Sequence, residues 1–160
     1  MKHVIRQIAC VAAALAVAAP AAAGVNVTYQ APEQFADLGH YEWQRQEVLR
    51  ELSDHFKKLA AQLPPGQTLN VEVLDIDLAG RQRPVRWSIY DIRVINGGAD
   101  WPHMKLRYSI TQDGQVLKSG EEVVQNMMYT NRLNRYFTGD TLRYEKQMLD
   151  DWFKEKLAVR

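Results

Sequence analysis

Two aspartates, Asp75 and Asp77, stand one residue apart in VEVLDIDLAG, a stretch whose alternation otherwise indicates a β-strand. Aspartate is among the residues least favoured in strands, so the pair needs an explanation. Carboxylates at this spacing lie on one side of a strand, where we expect Val71 and Val73 beside them. The aliphatic residues that turn to the other side, toward covering helices, are Leu74, Ile76 and Leu78.

Such a pair of carboxylates suits three roles. A calcium site needs about six to eight oxygen ligands, and no EF-hand-like loop surrounds the pair to supply them. A small hydrolase needs an acid and a base from neighbouring strands, for which Glu121 and Glu122 are further candidates. The interpretation that we favour is a structural one, a charged strand face that Lys105 and Arg107 neutralise if the strands are neighbours.

An Asp-Gly turn signal predicts a hairpin that places these basic and acidic residues on adjacent strands. With a plain two-residue turn, Lys105 opposes Glu122, whereas a bulge at Gly120 sets Arg107 opposite Glu121. Either register pairs a base with an acid. The predicted charged strand face therefore comprises Asp75, Asp77, Lys105, Arg107, Glu121 and Glu122.

No recognised catalytic or cofactor motif accompanies these carboxylates. His40, His55 and His103 are not spaced as HxH or HExxH, so the sequence predicts no metal site. The sequence also lacks a GxSxG elbow, a phosphate-binding glycine loop and a dinucleotide fingerprint. We therefore expect no catalytic residue and no cofactor.

A second kind of site is suggested by residues 125–139, a long connection with two arginines, several aromatics and no acidic residue. Arginine and aromatic side chains dominate interface hot spots, so Arg132, Arg135, Tyr129 and Tyr136 are candidate binding residues. Trp101 is a further candidate, as an exposed aromatic. The alternative is that the aromatics pack beneath the sheet and that Trp101 caps the hairpin core.

The elements that would position these residues follow from hydrophobic periodicity. Alternation predicts strands over 25–29, 68–77, 91–95, 104–111 and 116–124. Three- and four-residue steps predict helices over 42–63 and from an N-cap at Asp140 to about Leu157. The long first crossover favours a parallel pair, and the tight turns favour an antiparallel meander. The predicted fold is an α+β two-layer sandwich, with a mostly antiparallel sheet of about four to five strands and two helices on one face.

The first 23 residues have the pattern of a secretory signal peptide. Lys2 and Arg6 begin it, a short alanine-rich apolar run follows, and small residues end at Ala23, where we expect cleavage. The run is shorter than the roughly 20 apolar residues that span a bilayer. Cys10 precedes most of that run, which argues against a lipid-attached cysteine. The sequence therefore predicts export to the periplasm.

Cleavage after Ala23 would leave 137 of the 160 residues, which suit a single α+β domain over 24–160. The only cysteine is lost, so disulfides and thiol chemistry are excluded. Loss of Lys2 and Arg6 changes the balance from 20 basic and 19 acidic residues to 18 and 19. A chain so nearly neutral gives no reason to expect nucleic acid as a partner, and no transmembrane segment is expected in the mature chain.

Four stretches, TLNVEVLDIDLAG, ADWPHMKLRY, SGEE and LRYEKQMLDDWF, occur in the order and at the spacing of a known family. From about Val25 to Phe153 the chain resembles domain-of-unknown-function family 3016, small secreted proteins of Gram-negative bacteria. The resemblance implies a periplasmic location and brings no reaction, cofactor or catalytic residue.

Two classes of function remain open. The first is a non-catalytic binding or assembly module that holds an envelope protein or polymer on its open sheet face or its arginine and aromatic loop. The second is a small hydrolase that acts on cell-envelope polymer through the strand carboxylates. We favour the first, because every catalytic motif tested for is missing.

Overall fold

The computed structural model describes residues 22–86 and 91–158. The predicted signal peptide lies outside the described residues, apart from its last two. Among the described residues, no helix combines the length and apolar character that crossing a membrane requires.

A four-stranded sheet and two helices form the described structure. The elements in chain order are β1 (Gly24–Tyr29), α1 (Glu42–Ala60), β2 (Gln67–Asp77), β3 (Arg81–Arg83), β4 (Ile92–Val94), β5 (His103–Gln112), β6 (Gln115–Gln125) and α2 (Arg143–Lys156). The main sheet has the order β1-β2-β5-β6, with β1 parallel to β2 and the other two pairings antiparallel. The predicted α+β class and mostly antiparallel sheet are confirmed.

Three predicted elements differ from the structure in their pairing or by more than one residue in their bounds. The strand predicted over 91–95 is β4, which pairs with β3 in a separate two-stranded sheet. Helix α1 ends at Ala60, and Leu63 stays buried in the turn that follows. Helix α2 begins at Arg143, not at Asp140, whose Oδ1 accepts a hydrogen bond from the Leu142 amide two residues later.

The hydrophobic core lies between the main sheet and the two helices. Helix α1 contributes Leu52, Phe56 and Leu59, and α2 contributes Leu149 and Phe153. The sheet residues that face them are Leu69, Val71, Val73, Ile76, Met104, Leu106, Tyr108 and Ile110. Neither described helix covers the opposite face of the sheet, and polar side chains occupy it.

A bulge in β2 corrects the predicted sides of that strand. The register shifts between Val73 and Asp75, so one extra residue, Leu74, interrupts the alternation. Val71 and Val73 consequently face the core, whereas strict alternation had placed them beside the aspartates. Ile76 faces the core as predicted.

Candidate functional site

The open sheet face carries a row of charged side chains that bond across three strands. Arg107 of β5 lies 2.6 Å from Oε2 of Glu72 and 2.8 Å from Oε2 of Glu121. Lys105 lies 3.0 Å from the other oxygen of Glu121. Arg107 pairs with Glu121 in the register, as predicted for a bulged hairpin, but the shift falls between Ile110 and Thr111 and not at Gly120. These exposed pairs neutralise one another, which leaves little free charge on the face.

Glu122 does not belong to this charged face. Adjacent residues on a strand point to opposite sides, so Glu122 faces the helix side, where its Oε1 accepts a hydrogen bond from the Tyr108 hydroxyl at 3.2 Å. Glu121 and Glu122 therefore cannot act together as an acid and base pair on the open face.

Asp75 and Asp77 lie at the end of β2. Asp75 stands opposite Lys105 in the register, but the ion pairs of Lys105 and Arg107 go to Glu121 and Glu72. Asp75 Oδ1 accepts hydrogen bonds from the Ala36 amide at 2.8 Å and from the Ile76 amide at 2.9 Å. Asp77 Oδ2 lies 3.7 Å from Nε2 of His103. Asp75 thus fixes the chain that leads from β1 toward α1, a role that the sequence pattern did not indicate.

Burial raises the pKa of Asp77, and the nearby carboxylates of Asp37 and Asp75 add to this effect, while His103 opposes it. Asp37 itself is held by both terminal nitrogens of Arg93, at 2.8 and 2.9 Å. No group of three or more potential metal ligands occurs within residues 22–86 and 91–158.

Most polar groups of the loop 126–142, between β6 and α2, are bound to α2. The side chain of the buried Gln147 accepts a hydrogen bond from the Arg135 amide at 2.8 Å and donates one to the Leu133 carbonyl at 3.1 Å. The Tyr136 hydroxyl donates to Asp150 at 2.9 Å, and its burial and this bond raise its pKa. The loop is therefore held in place by its own helix.

The five predicted binding residues have different environments. Arg135 forms ion pairs with Asp150 and Asp151, and Arg132 lies 3.8 Å from Asp151. Tyr129 is buried against Tyr144, and its burial raises its pKa to about 12. Trp101 packs against the same small cluster and is partly buried. Tyr129 thus belongs to a small buried cluster outside the main core.

The most exposed apolar side chain of the loop, that of Leu133, was not among the predicted binding residues. Leu133 is 91% exposed and Phe137 is 81% exposed, with Met127 and Met128 also largely in solvent. The only sequence signal for this surface was the cluster of large apolar residues in a connection, which does not distinguish outward from inward side chains.

A cleft of about 450 Å³ lies where the first turns of both helices meet the small sheet, and we call it the helix-start cleft. Buried apolar residues form much of its wall: Leu38, Leu78, Leu142 and Tyr144. Trp43 of α1 and Ile95, just after β4, line it with partly exposed side chains. This volume is within the range of small-molecule sites, which are concave and mostly apolar with a few polar groups.

The polar residues of the helix-start cleft come from four segments. Gln82 of β3 donates to the Gln44 side chain of α1 at 3.3 Å, and both line the cleft with Glu47, Asp91 and Arg93. The segment 138–143 adds Asp140 and Arg143. None of these residues shares a motif in the sequence, because the site is assembled from distant segments.

The family comparison agrees with the resemblance. The model of the family described as "Protein of unknown function (DUF3016)" matches residues 23–155, and the chain belongs to this family. No curated protein is significantly similar in sequence.

Two solved structures show distant likeness. The hypothetical protein CT253 from Chlamydia trachomatis is 13% identical, with 86% of this chain and 95% of that chain covered and a TM-score of 0.33. Protein XCC0632 from Xanthomonas campestris, of the family DUF330, is 11% identical, with 87% and 83% covered and a TM-score of 0.34.

Proposed function

We propose that this protein is a non-catalytic binding module of the periplasm that holds an envelope component in the helix-start cleft. The periplasmic part rests on the signal-peptide pattern of residues 1–23 and on the family resemblance. The observation that carries the binding part is a mostly apolar cleft of ligand size, open to solvent, at the meeting point of two helices and a hairpin.

The walls of the cleft are fixed before any ligand arrives. Arg93 is held by two bonds to Asp37, which ties β4 to the segment before α1. Lys146 bonds to both Glu51 and Asp140, which ties α1 to the approach of α2. A preformed site loses little conformational entropy on binding, so its apolar surface contributes more fully to affinity.

The ion pairs around the cleft favour binding over catalysis. Glu47 pairs with Arg50, Asp91 with His40, and Asp140 with Lys146. A catalytic acid or base needs a pKa near the working pH and access to the substrate. Carboxylates engaged in this way are poor candidates for that role.

The test is recovery of the exported protein from periplasm, followed by intact-mass measurement under denaturing and native conditions. We expect a chain that begins at or near Gly24, together with a bound small molecule. Val48→Trp should fill the cleft and abolish the bound mass, whereas Gln46→Trp, on the exposed side of α1, should retain it. A chain that retains Cys10 with attached lipid would contradict the export proposal, and equal ligand content in both variants would contradict the binding site.

A hydrolase that uses Asp77 is the second candidate, because the raised pKa of this carboxyl suits a general acid. Asp77 lies with Asp37 in a polar cleft of about 490 Å³. If this candidate is right, the purified protein cleaves cell-envelope polymer and Asp77→Asn abolishes the cleavage while the fold is retained.

A further inference from the structure

We infer that the helix-start cleft binds an amphipathic anion, a single apolar chain that ends in a carboxylate or phosphate group, with the charged end at Arg143. This inference rests on the proposed binding function and names the class of ligand. It is carried by the contrast between Arg143 and every other charged residue that lines the cleft.

Four of the five charged lining residues already have a basic or acidic partner within the protein, which for Asp91 is the histidine His40. The paired residues are Glu47, Asp91, Arg93 and Asp140. Arg143 is the exception, because no carboxylate of the described residues lies within 4.0 Å of its guanidinium. Among the charged residues that line the cleft, Arg143 is therefore the one that can pair with a charged group of the ligand. That group must be negative.

The position of Arg143 makes its lack of an acidic partner informative. It is the first residue of α2, where the helix dipole disfavours a cation. Its guanidinium lies over the Tyr144 ring, 4.5 Å from the centroid, and donates to the Tyr144 hydroxyl. An arginine placed against the helix dipole without an acidic partner violates a local stability rule, and such violations concentrate at functional sites.

Tyr144 connects the charged end of the site to its apolar part. The ring beneath Arg143 is buried and lines the cleft together with Leu142, Leu78 and Leu38. An anionic group bound at Arg143 therefore has apolar surface directly beside it, where an alkyl chain is removed from water. A purely polar anion would leave that surface unused, and a purely apolar ligand would leave Arg143 without an anionic partner.

The experiment compares matched ligands by titration calorimetry on the exported protein, below their micelle concentrations. The four probes share one chain length and differ in the head group: decanoate, decyl phosphate, decanol and decyltrimethylammonium. We expect the two anions to bind roughly tenfold more tightly than decanol, as one charge-assisted contact allows, and the cation to bind most weakly. The carboxylate and phosphate arms show which head group the site prefers.

Three variants separate the charge from the fold. Arg143→Gln should remove the preference for anions and leave decanol binding unchanged, and Arg143→Lys should keep part of the preference. Arg143→Glu should repel the anions although it places a favourable charge at the helix start, so a loss of binding cannot be attributed to unfolding. Lys58→Gln, on the exposed side of α1, changes the net charge by the same amount as Arg143→Gln and should have no effect.

Equal binding of all four probes, unchanged in Arg143→Gln, would overturn this inference and leave the cleft as an apolar site. Tighter binding of the cation, or failure of every probe to bind, would also overturn it. The binding function itself is then judged separately, by the comparison of Val48→Trp with Gln46→Trp in the protein recovered from periplasm.

Discussion

Nε2 of the buried His55 lies 3.0 Å from Oδ1 of Asp150, so the middle of α1 meets α2 through an imidazole and a carboxylate. The geometry is not that of an aligned hydrogen bond, since this nitrogen has no hydrogen-bond partner among the described residues. The other Asp150 oxygen accepts bonds from Tyr136 and Arg135 of the loop. Burial lowers the pKa of His55, and the Asp150 charge offsets this only in part.

Acid should therefore destabilise the protein through His55. The histidine pKa is lower in the folded than in the unfolded chain, so the unfolded chain takes up the proton first. Stability should fall as pH decreases through the unfolded value of about 6.5 toward the folded pKa. The free energy of unfolding, measured with denaturant at several pH values, should fall less between pH 7.5 and 5 in His55→Phe than in the wild type. Lys58→Gln, which changes an exposed side chain of the same helix, should keep the wild-type slope.

Asp75 and Asp77 should respond oppositely to substitution, although they are equivalent in the sequence pattern. Asp75→Ala removes the hydrogen-bond acceptor of two backbone amides and should lower the free energy of unfolding by about 1 to 3 kcal/mol. Asp77→Asn removes a carboxylate whose pKa is raised by burial, so it should not lower the melting temperature at neutral pH and should raise it slightly. Equal losses for both variants would contradict this assignment.

The sequence could predict the helices and main strands because burial on one side leaves a periodic signal. It could not predict the sides of Val71 and Val73, since a single bulged residue at Leu74 reverses the alternation and has no composition of its own. It also could not separate Glu121 from Glu122 without the strand faces. Boundaries and bulges depend on pairing with β5, which lies about 30 residues away in the chain.

The helix-start cleft was not predictable for a different reason. Trp43, Arg93 and Arg143 come from three distant segments, and each taken alone resembles an ordinary surface residue. The unusual feature of Arg143 is that no carboxylate of the described residues lies within 4.0 Å of its guanidinium, which only a three-dimensional arrangement reveals. The sequence could not show that Tyr129 is buried, because a buried and an exposed tyrosine have the same sequence signature.

The loop 126–142 should depend on Gln147 much more than on its two arginines. Gln147→Leu leaves the Arg135 amide and the Leu133 carbonyl without partners and should cost about 2 kcal/mol. The double variant Arg132→Ala and Arg135→Ala should cost less than about 1 kcal/mol, because exposed ion pairs contribute little. Chemical denaturation measures both, and a larger loss in the double variant would show that the ion pairs hold the loop.

The protonation state of a buried carboxyl can be tested directly at Glu145. Its side chain is buried in the first turn of α2, Oε1 accepts the Ala79 amide at 2.7 Å, and Oε2 has no partner among the described residues. Burial raises its pKa well above the usual range for a glutamate, although the Ala79 bond opposes this. The folded state therefore favours the protonated carboxyl. The contribution of the protonated Glu145 to the stability of the protein is fully present below the unfolded pKa and is lost as pH rises through the folded pKa.

Glu145→Gln keeps an acceptor for the Ala79 amide and has no proton to lose. The variant should melt at a higher temperature than the wild type at pH 7.5, and the difference should shrink as pH falls toward 4, where the wild-type carboxyl is protonated in both states. Glu155→Gln, on an exposed turn of the same helix, serves as the control and should show no such pH-dependent gain. A variant that is destabilised equally at both pH values would mean that Glu145 is ionised in the folded protein and that an unrecognised partner binds Oε2.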